Sequence, residues 1–319
     1  MKALFVDSSQ RSARIIERDI PEPPEGEALI RVSLAGICGT DLEILAGYMD
    51  YSGILGHEFV GTVESSPSDP SWEGKRVVGE LNCTNDDCGT CRREGPRHCP
   101  NRDVLGILGR DGTMAQYVLL PIANLHPVPD GLDDRRAVFA EPLAAALEIL
   151  EQVHLEPTTE VLLLGDGRLA QLIGQVLLLP GCRLTVCGKH EDKLAMLAKR
   201  GARTVRYPDL PEGKWDVVVE ATGRAEAAAL AVSRCRPRGT IVLKSTVAES
   251  GGIPIVPVIV DELRVVGSRC GPFSPALSLL ERGRIDVDPL VSEVIPLDRA
   301  TDALTRAGER GVLKVLLEC

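Results

Sequence analysis

Aromatic side chains are scarce in this chain, with Phe, Trp and Tyr making up 3% of its 319 residues. Its cores must be packed from Val, Leu, Ile and Ala instead, which says little about chemistry. Excess positive charge is lacking too: 36 Lys and Arg stand against 46 Asp and Glu, a net charge of −10. Nucleic acid or an anionic membrane surface would call for clustered cations, so no nucleic-acid and no membrane partner is expected. No apolar run reaches the ~18 residues of a membrane span, and the opening MKALFVDSSQ lacks a charged-then-apolar leader pattern. A cytoplasmic location is expected. There is no low-complexity tract and no internal repeat. Ten cysteines are present, but disulfide frameworks suit short secreted chains. Four of the ten crowd into residues 83–99, which in a reducing compartment marks a metal site.

What is there suggests two domains and a mixed α/β fold. Residues 1–35 alternate short apolar runs with Pro and Gly, as in KALFV, RIIER and EALIRVSLAG, and FVGTVES, KRVVGEL and MAQYVLLP continue the grain. These predict antiparallel strands joined by tight turns. From about residue 134 the spacing turns helical, in DDRRAVFAEPLAAALEILEQV. Strand and helix patterns then alternate: VLLLG, RLAQLIGQVLLL, RLTVCG, HEDKLAMLAKRG, WDVVVEATG, GTIVLKST and DELRVVGS. Continuous apolar strands between helices imply a parallel sheet covered on both faces. The last stretch, with PALSLLERGRI, SEVIPLD, DALTRAGERG and VLKVLLE, is expected to fold back onto the first domain.

Gly165-Asp166-Gly167-Arg168-Leu169-Ala170 follows the strand VLLL and opens a helix. This is the G-x-G-x-x-A form of a dinucleotide fingerprint. The first Gly permits a tight turn, the second lets backbone approach a pyrophosphate, and Ala170 keeps the helix close to the sheet. An NAD enzyme usually ends the next strand with Asp or Glu to hold the ribose 2′-hydroxyl. Here that place is Gly188, followed by Lys189 and His190. A missing carboxylate beside cationic groups suits a 2′-phosphate, so NADP(H) is favoured over NAD(H), and Arg168 is a further phosphate candidate. The bland reading of Lys189 is a solvated lysine at a helix start.

Cys38, His57, Glu58 and Glu141 are candidate ligands of a catalytic zinc, which takes a few N, S or O donors and keeps one position open. Cys38, His57 and Glu141 supply one donor of each type, and Glu58 is a fourth that exchanges with substrate. The second cluster is Cys83-x4-Cys88-x2-Cys91-x7-Cys99, read as a closed structural zinc site.

GICGTD, LGHEFVGTV, the cysteine cluster, FAEPLA, LLLGDGRLA and VVVEATG occur in this order along nearly the whole chain. In this the chain resembles the zinc-containing medium-chain dehydrogenases/reductases, in the branch whose third zinc ligand is Glu, which includes polyol, sugar and threonine dehydrogenases. The resemblance implies a GroES-like catalytic domain (1–142), a Rossmann domain (143–270) and a returning segment (271–319). It implies reversible hydride transfer between a small-molecule alcohol, polyol or sugar hydroxyl, or the matching carbonyl, and a nicotinamide cofactor. Thr40 resembles the family's proton-relay hydroxyl, with Asp41 orienting a ligand or loop. Homodimers and homotetramers are both common among relatives, so one or the other is expected here.

The chain departs from the family at two places. The family's cysteine pattern is C-x2-C-x2-C-x7-C, and its first position holds Asn85 here. Either Cys83 takes that ligand's place, or Asp86 or Asp87 does, or the lobe is metal-free. Many relatives have His where this chain has Glu43, which either alters the proton exit or is simply solvated. Two competing readings remain: a zinc-free NADPH-dependent quinone or enone reductase, and a nonenzymatic NADP-binding protein on the same scaffold.

Overall fold

Short half-buried strands with turn residues between them build the first part of the chain, as their alternation predicts. The computed structural model describes residues 1–84, 88–245 and 252–319. In order come β1 (Lys2–Asp7), β2 (Ser12–Glu17), β3 (Glu27–Gly36), α1 (Gly39–Leu45), β4 (Ser52–Ile54), β5 (Glu58–Ser65) and β6 (Arg76–Gly79). A small lobe follows, with β7 (Asn82–Cys83), α2 (Gly89–Glu94), β8 (Asp103–Leu105) and β9 (Gly109–Arg110). Then come β10 (Tyr117–Pro121), β11 (Leu125–Pro127), α3 (Asp134–Ala137) and α4 (Ala140–Gln152). The chain divides into two units, Met1–Glu141 with Phe273–Cys319, and Pro142–Pro272.

The second unit continues with β12 (Glu160–Leu164), α5 (Arg168–Leu178), β13 (Arg183–Gly188), α6 (Glu191–Ala198) and β14 (Arg203–Arg206). It is completed by β15 (Trp215–Glu220), α7 (Ala227–Arg234), β16 (Cys235–Leu243), α8 (Ile255–Val260) and β17 (Arg264–Gly267). Among the described residues these strands form one sheet in the order β14-β13-β12-β15-β16-β17, every neighbour parallel. Val161 to Leu164 of β12 are fully buried, which is why that strand reads as a continuous apolar run. Strand order reverses between β12 and β15. This is the doubly wound Rossmann arrangement, whose ligands lie at the carboxyl ends of the strands beside the reversal.

The first unit is completed by α9 (Phe273–Glu281), β18 (Val291–Pro296), α10 (Ala300–Gly308) and β19 (Lys314–Glu318). Its main sheet runs β11-β6-β5-β3-β19-β18, with β10 also on β3. Strand β3 pairs antiparallel with β5, β10 and β19, and its core includes Ile30, Val60 and Leu317, all fully buried. No helix among the described residues is long and apolar enough to cross a membrane. The fold is thus a β-rich GroES-like part plus a Rossmann part.

Candidate active site

The antiparallel register of β3 and β5 sets Gly36 opposite Glu58, so the residues just past one strand meet those that open the other. Cys38 caps α1, and His57 directly precedes β5. The ligand atoms of Cys38, His57 and Glu58 lie within 4.8 Å of one another, with His57 and Glu58 buried. Behind them sits Asp41, wholly buried. Its Oδ2 accepts the Cys38 backbone N–H at 2.8 Å, and its Oδ1 stands 3.6 Å from His57 Nδ1. Neither Asp41 Oδ1 nor His57 Nδ1 has a closer partner. Burial pushes the Asp41 carboxyl up, against the pull of His57 and the Cys38 amide. Burial also opposes a charge on His57, but Asp41, Cys38 and Glu141 outweigh it and hold His57 well above its usual range.

Thr40 lies in the first turn of α1, where its Oγ1 accepts from the Cys38 thiol at 3.7 Å. Glu43 is on the exposed side of that helix. Glu141, in the first turn of α4, is close enough to act on His57 but is not among the converging ligand atoms. One residue of this site was not singled out from the sequence. Lys314 of β19 is 2% exposed, and its Nζ donates to Glu58 Oε2 and to Ile37 O (3.2 Å for the latter). The Phe139 ring stands 5.8 Å away. A lone lysine inside the apolar run VLKVLLE was the available signal, since a buried ammonium needs a partner.

The cysteine lobe departs from expectation. Cys88, Cys91 and Cys99 bring their sulfurs within 4.8 Å of one another, but Cys83 is not in the group. It is buried in β7, its thiol near Leu81 O and accepting from Asn124 Nδ2 at 3.7 Å. Burial pushes that thiol up to about 12. Asn85, Asp86 and Asp87 lie outside the described residues. The trio is drawn together by α2: Cys88 caps the helix, accepting from the Cys91 amide at 3.4 Å, and the two sulfurs are 3.3 Å apart. Hydrogen bonds from the Cys91 amide and thiol draw Cys88 down to about 7. His98, exposed beside Cys99, takes no place in the trio.

At the second unit's strand ends, Gly165 has φ +120°, and a Cβ there would fall 2.5 Å from Ala221 O. Only glycine serves that turn. Gly167 caps α5 with no side-chain cap, and a Cβ there would meet nothing within 4 Å, so the helix's first amides are open to an anion. Ala170 is fully buried against the sheet, while Arg168 and Leu169 are half-buried. Gly188 is buried, Lys189 exposed and His190 half-buried. Asp166, which the sequence placed only as the residue between the glycines, reaches across to this strand end. Its Oδ2 accepts the backbone N–H groups of Lys189 and His190, each at 2.7 Å, and His190 Nδ1 lies 3.1 Å from both oxygens. Nearby, Glu220 Oε1 accepts from Thr222 N, Thr222 Oγ1 and Ser245 Oγ, which fixes the end of β15.

Residues 24–130 match the model of the alcohol dehydrogenase GroES-like domain. The chain is 30% identical to an erythritol/L-threitol dehydrogenase of Mycolicibacterium smegmatis, over 89% of this chain and 88% of that protein. A Sinorhizobium meliloti protein described as a zinc-binding dehydrogenase, solved with NADP, is 29% identical with a TM-score of 0.90, covering 100% of this chain and 99% of that one. An Escherichia coli CFT073 alcohol dehydrogenase solved with NADH is 26% identical, with a TM-score of 0.91 and the same coverage. Likeness of this extent makes the protein an enzyme that couples alcohol or polyol chemistry to a nicotinamide cofactor. The chain belongs to the zinc-containing medium-chain dehydrogenase/reductase family, in its alcohol and polyol dehydrogenase-like part.

Proposed function

We propose that the protein is a zinc-dependent dehydrogenase moving hydride reversibly between the hydroxyl carbon of a polyol or sugar, or the matching carbonyl, and a nicotinamide cofactor. The carrying observation is the convergence of Cys38, His57 and Glu58 with Asp41 behind the histidine. A thiol, an imidazole and a carboxylate are a zinc donor set, and the unpaired His57 Nδ1 facing Asp41 is how proteins orient a metal-binding histidine. A zinc ion held by Cys38 and His57, with Glu58 or Glu141 completing the set, would supply a Lewis acid for a substrate oxygen.

The chain's own residues do the rest. Asp41 fixes the Cys38 backbone, and its other oxygen faces the His57 ring, where it would orient the imidazole once a metal is bound. Thr40, whose hydroxyl lies 3.7 Å from the Cys38 sulfur, would take the proton of a substrate hydroxyl. Lys314 holds Glu58, so a Glu58 that exchanges on and off the metal must give up part of an ion pair to do so. Cys88, Cys91 and Cys99 would hold a second, structural zinc, its fourth ligand lying outside the trio. A bound nicotinamide cofactor would supply the redox chemistry, and the glycine turn before α5 would hold its pyrophosphate. Gly188 and Lys189 support NADP(H), the Asp166 carboxylate supports NAD(H), and a fixed buried anion outweighs a solvated lysine. The polyol class rests on the named relative.

Ten free cysteines suit a cytoplasmic location. A homodimer or homotetramer is proposed on the exposed apolar face of α8. A zinc-free quinone or enone reductase, or a nonenzymatic NADP-binding protein, would have no use for the Cys38–His57–Glu58 convergence.

The test is turnover on pooled alcohols, polyols and aldoses with NAD and NADP, followed through reduced nicotinamide. Activity should vanish on chelation and return with zinc. Unchanged activity in stripped protein would overturn the metal role, and no activity in metal-loaded protein would overturn the substrate class.

A further inference from the structure

The strand end after β13 lacks the carboxylate that reads the adenosine ribose of NAD, yet a carboxylate is there. We infer that Asp166 supplies it from the glycine loop, accepts a ribose hydroxyl in place of a strand-end acid, and selects NAD(H) against NADP(H). This rests on the reading of the second unit as a dinucleotide site.

Three observations carry it. The first is occupancy of the donors. The amides of Lys189 and His190 and the His190 ring form a cluster of N–H groups of the kind that binds anions, and Asp166 Oδ2 already takes both amides at 2.7 Å. A 2′-phosphate at this strand end would compete with a covalently tethered anion for the same donors. The second is space. A Cβ at Gly188 would fall 2.6 Å from Asp166 Oδ2 and 2.7 Å from Asp166 Cβ. The volume that a strand-end Asp or Glu would enter is thus filled by Asp166, and the bare Gly188 is what admits it. The third is spare acceptor capacity. A carboxylate offers about four lone-pair sites, and Oδ1 uses one direction on His190 Nδ1 at 3.1 Å. It can still accept a ribose hydroxyl.

The group is anionic near neutral pH. Burial pushes it up, but the His190 amide and ring and the Lys189 amide more than reverse this and lower it. The cations at this end are less fixed: Lys189 and Arg206, the latter in register with Gly188 on β14, are both exposed.

Calorimetric binding of ADP-ribose and 2′-phospho-ADP-ribose tests the inference without zinc, substrate or turnover. The intact enzyme should bind ADP-ribose at least about tenfold more tightly, the scale of one hydrogen bond to a charged group. Asp166→Asn should cut that preference by at least about tenfold, whereas damage to the fold would weaken both ligands together. The double variant Asp166→Gly with Gly188→Asp moves the carboxylate to the strand end and should restore the preference. It also serves where the single variant folds poorly. Tighter binding of the phosphorylated fragment by the intact enzyme, or an unchanged ratio in Asp166→Asn, overturns the inference. Failure of both fragments to bind the intact enzyme brings down the dinucleotide reading itself, and the inference with it.

Discussion

Glu80 accepts two hydrogen bonds from Arg97, at 2.8 and 3.1 Å, and lies 3.1 Å from His126 Nε2. Burial pushes its carboxyl up, but His126 and Arg97 reverse this and bring it from the usual 4.5 down to about 2. A depressed carboxylate stabilises the fold fully above its unfolded pKa, and that contribution is lost as pH falls from 4.5 toward 2. Glu80→Gln should therefore cost roughly 1–3 kcal/mol near neutral pH. Its melting temperature, followed by circular dichroism, should vary less steeply with acid than that of the unaltered protein. Parallel pH profiles would show that the ion pair contributes nothing. Pairs of this kind are where residue-level reading from sequence falls short. Cys38, Thr40, His57 and Glu58 stand out by type and local spacing. Lys314 meets Glu58 across 256 positions, and only strand pairing brings them together. Asp166 hid between two glycines whose role was obvious, and its reach to residues 189 and 190 depends on the parallel register of β12 and β13.

The lobe carried by α2 is an element with two anchors. One is the sulfur trio, the other the Arg97–Glu80 pair, since Arg97 lies in the turn between Cys91 and Cys99. If zinc closes the trio, Cys91→Ser should lower the melting temperature by roughly 5 °C or more, because metal binding there is folding free energy. Activity at low temperature should stay within about twofold, as such a site is closed and does no chemistry. An unaltered melting temperature would mean that the Arg97 anchor suffices and the trio is empty. The same distinction between apolar pattern and context governs what was legible among the elements. Strands β12, β13, β15 and the second half of β16 are readable because burial leaves continuous apolar runs, whereas β17 is legible only by its paired valines, being exposed at the sheet's edge. Strand β14 is not, because it lies at the sheet's edge and its RTVR carries exposed arginines at both ends. Helix α8, IVPVIV, carries no helical signal either: every residue but its proline is β-branched, so propensity argues against the helix it forms. Cys83 is the opposite case, a cysteine at plausible spacing that the structure buries in β7, outside the trio of Cys88, Cys91 and Cys99.

At the scale of the whole molecule, the same α8 raises the question of assembly. Ile255, Val256, Ile259 and Val260 are 61–73% exposed, and among the described residues β17, at the sheet's other edge, leaves a backbone ladder open. An open edge beside an apolar patch invites a second copy, paired by a two-fold axis. Sedimentation velocity should find a dimer or tetramer, and Ile259→Asp with Val260→Asp should shift it toward monomer. A monomer in the unaltered protein would contradict this. The central claim, however, concerns zinc at Cys38 and His57. Its most direct measurement is zinc content against turnover as the ion is returned to chelator-stripped enzyme, for the unaltered protein and for Cys38→Ser. The account predicts turnover rising in proportion to bound zinc in the former, and no recovered turnover in the latter even where the cysteine trio keeps its metal. Full turnover from stripped protein, or from Cys38→Ser, would contradict it.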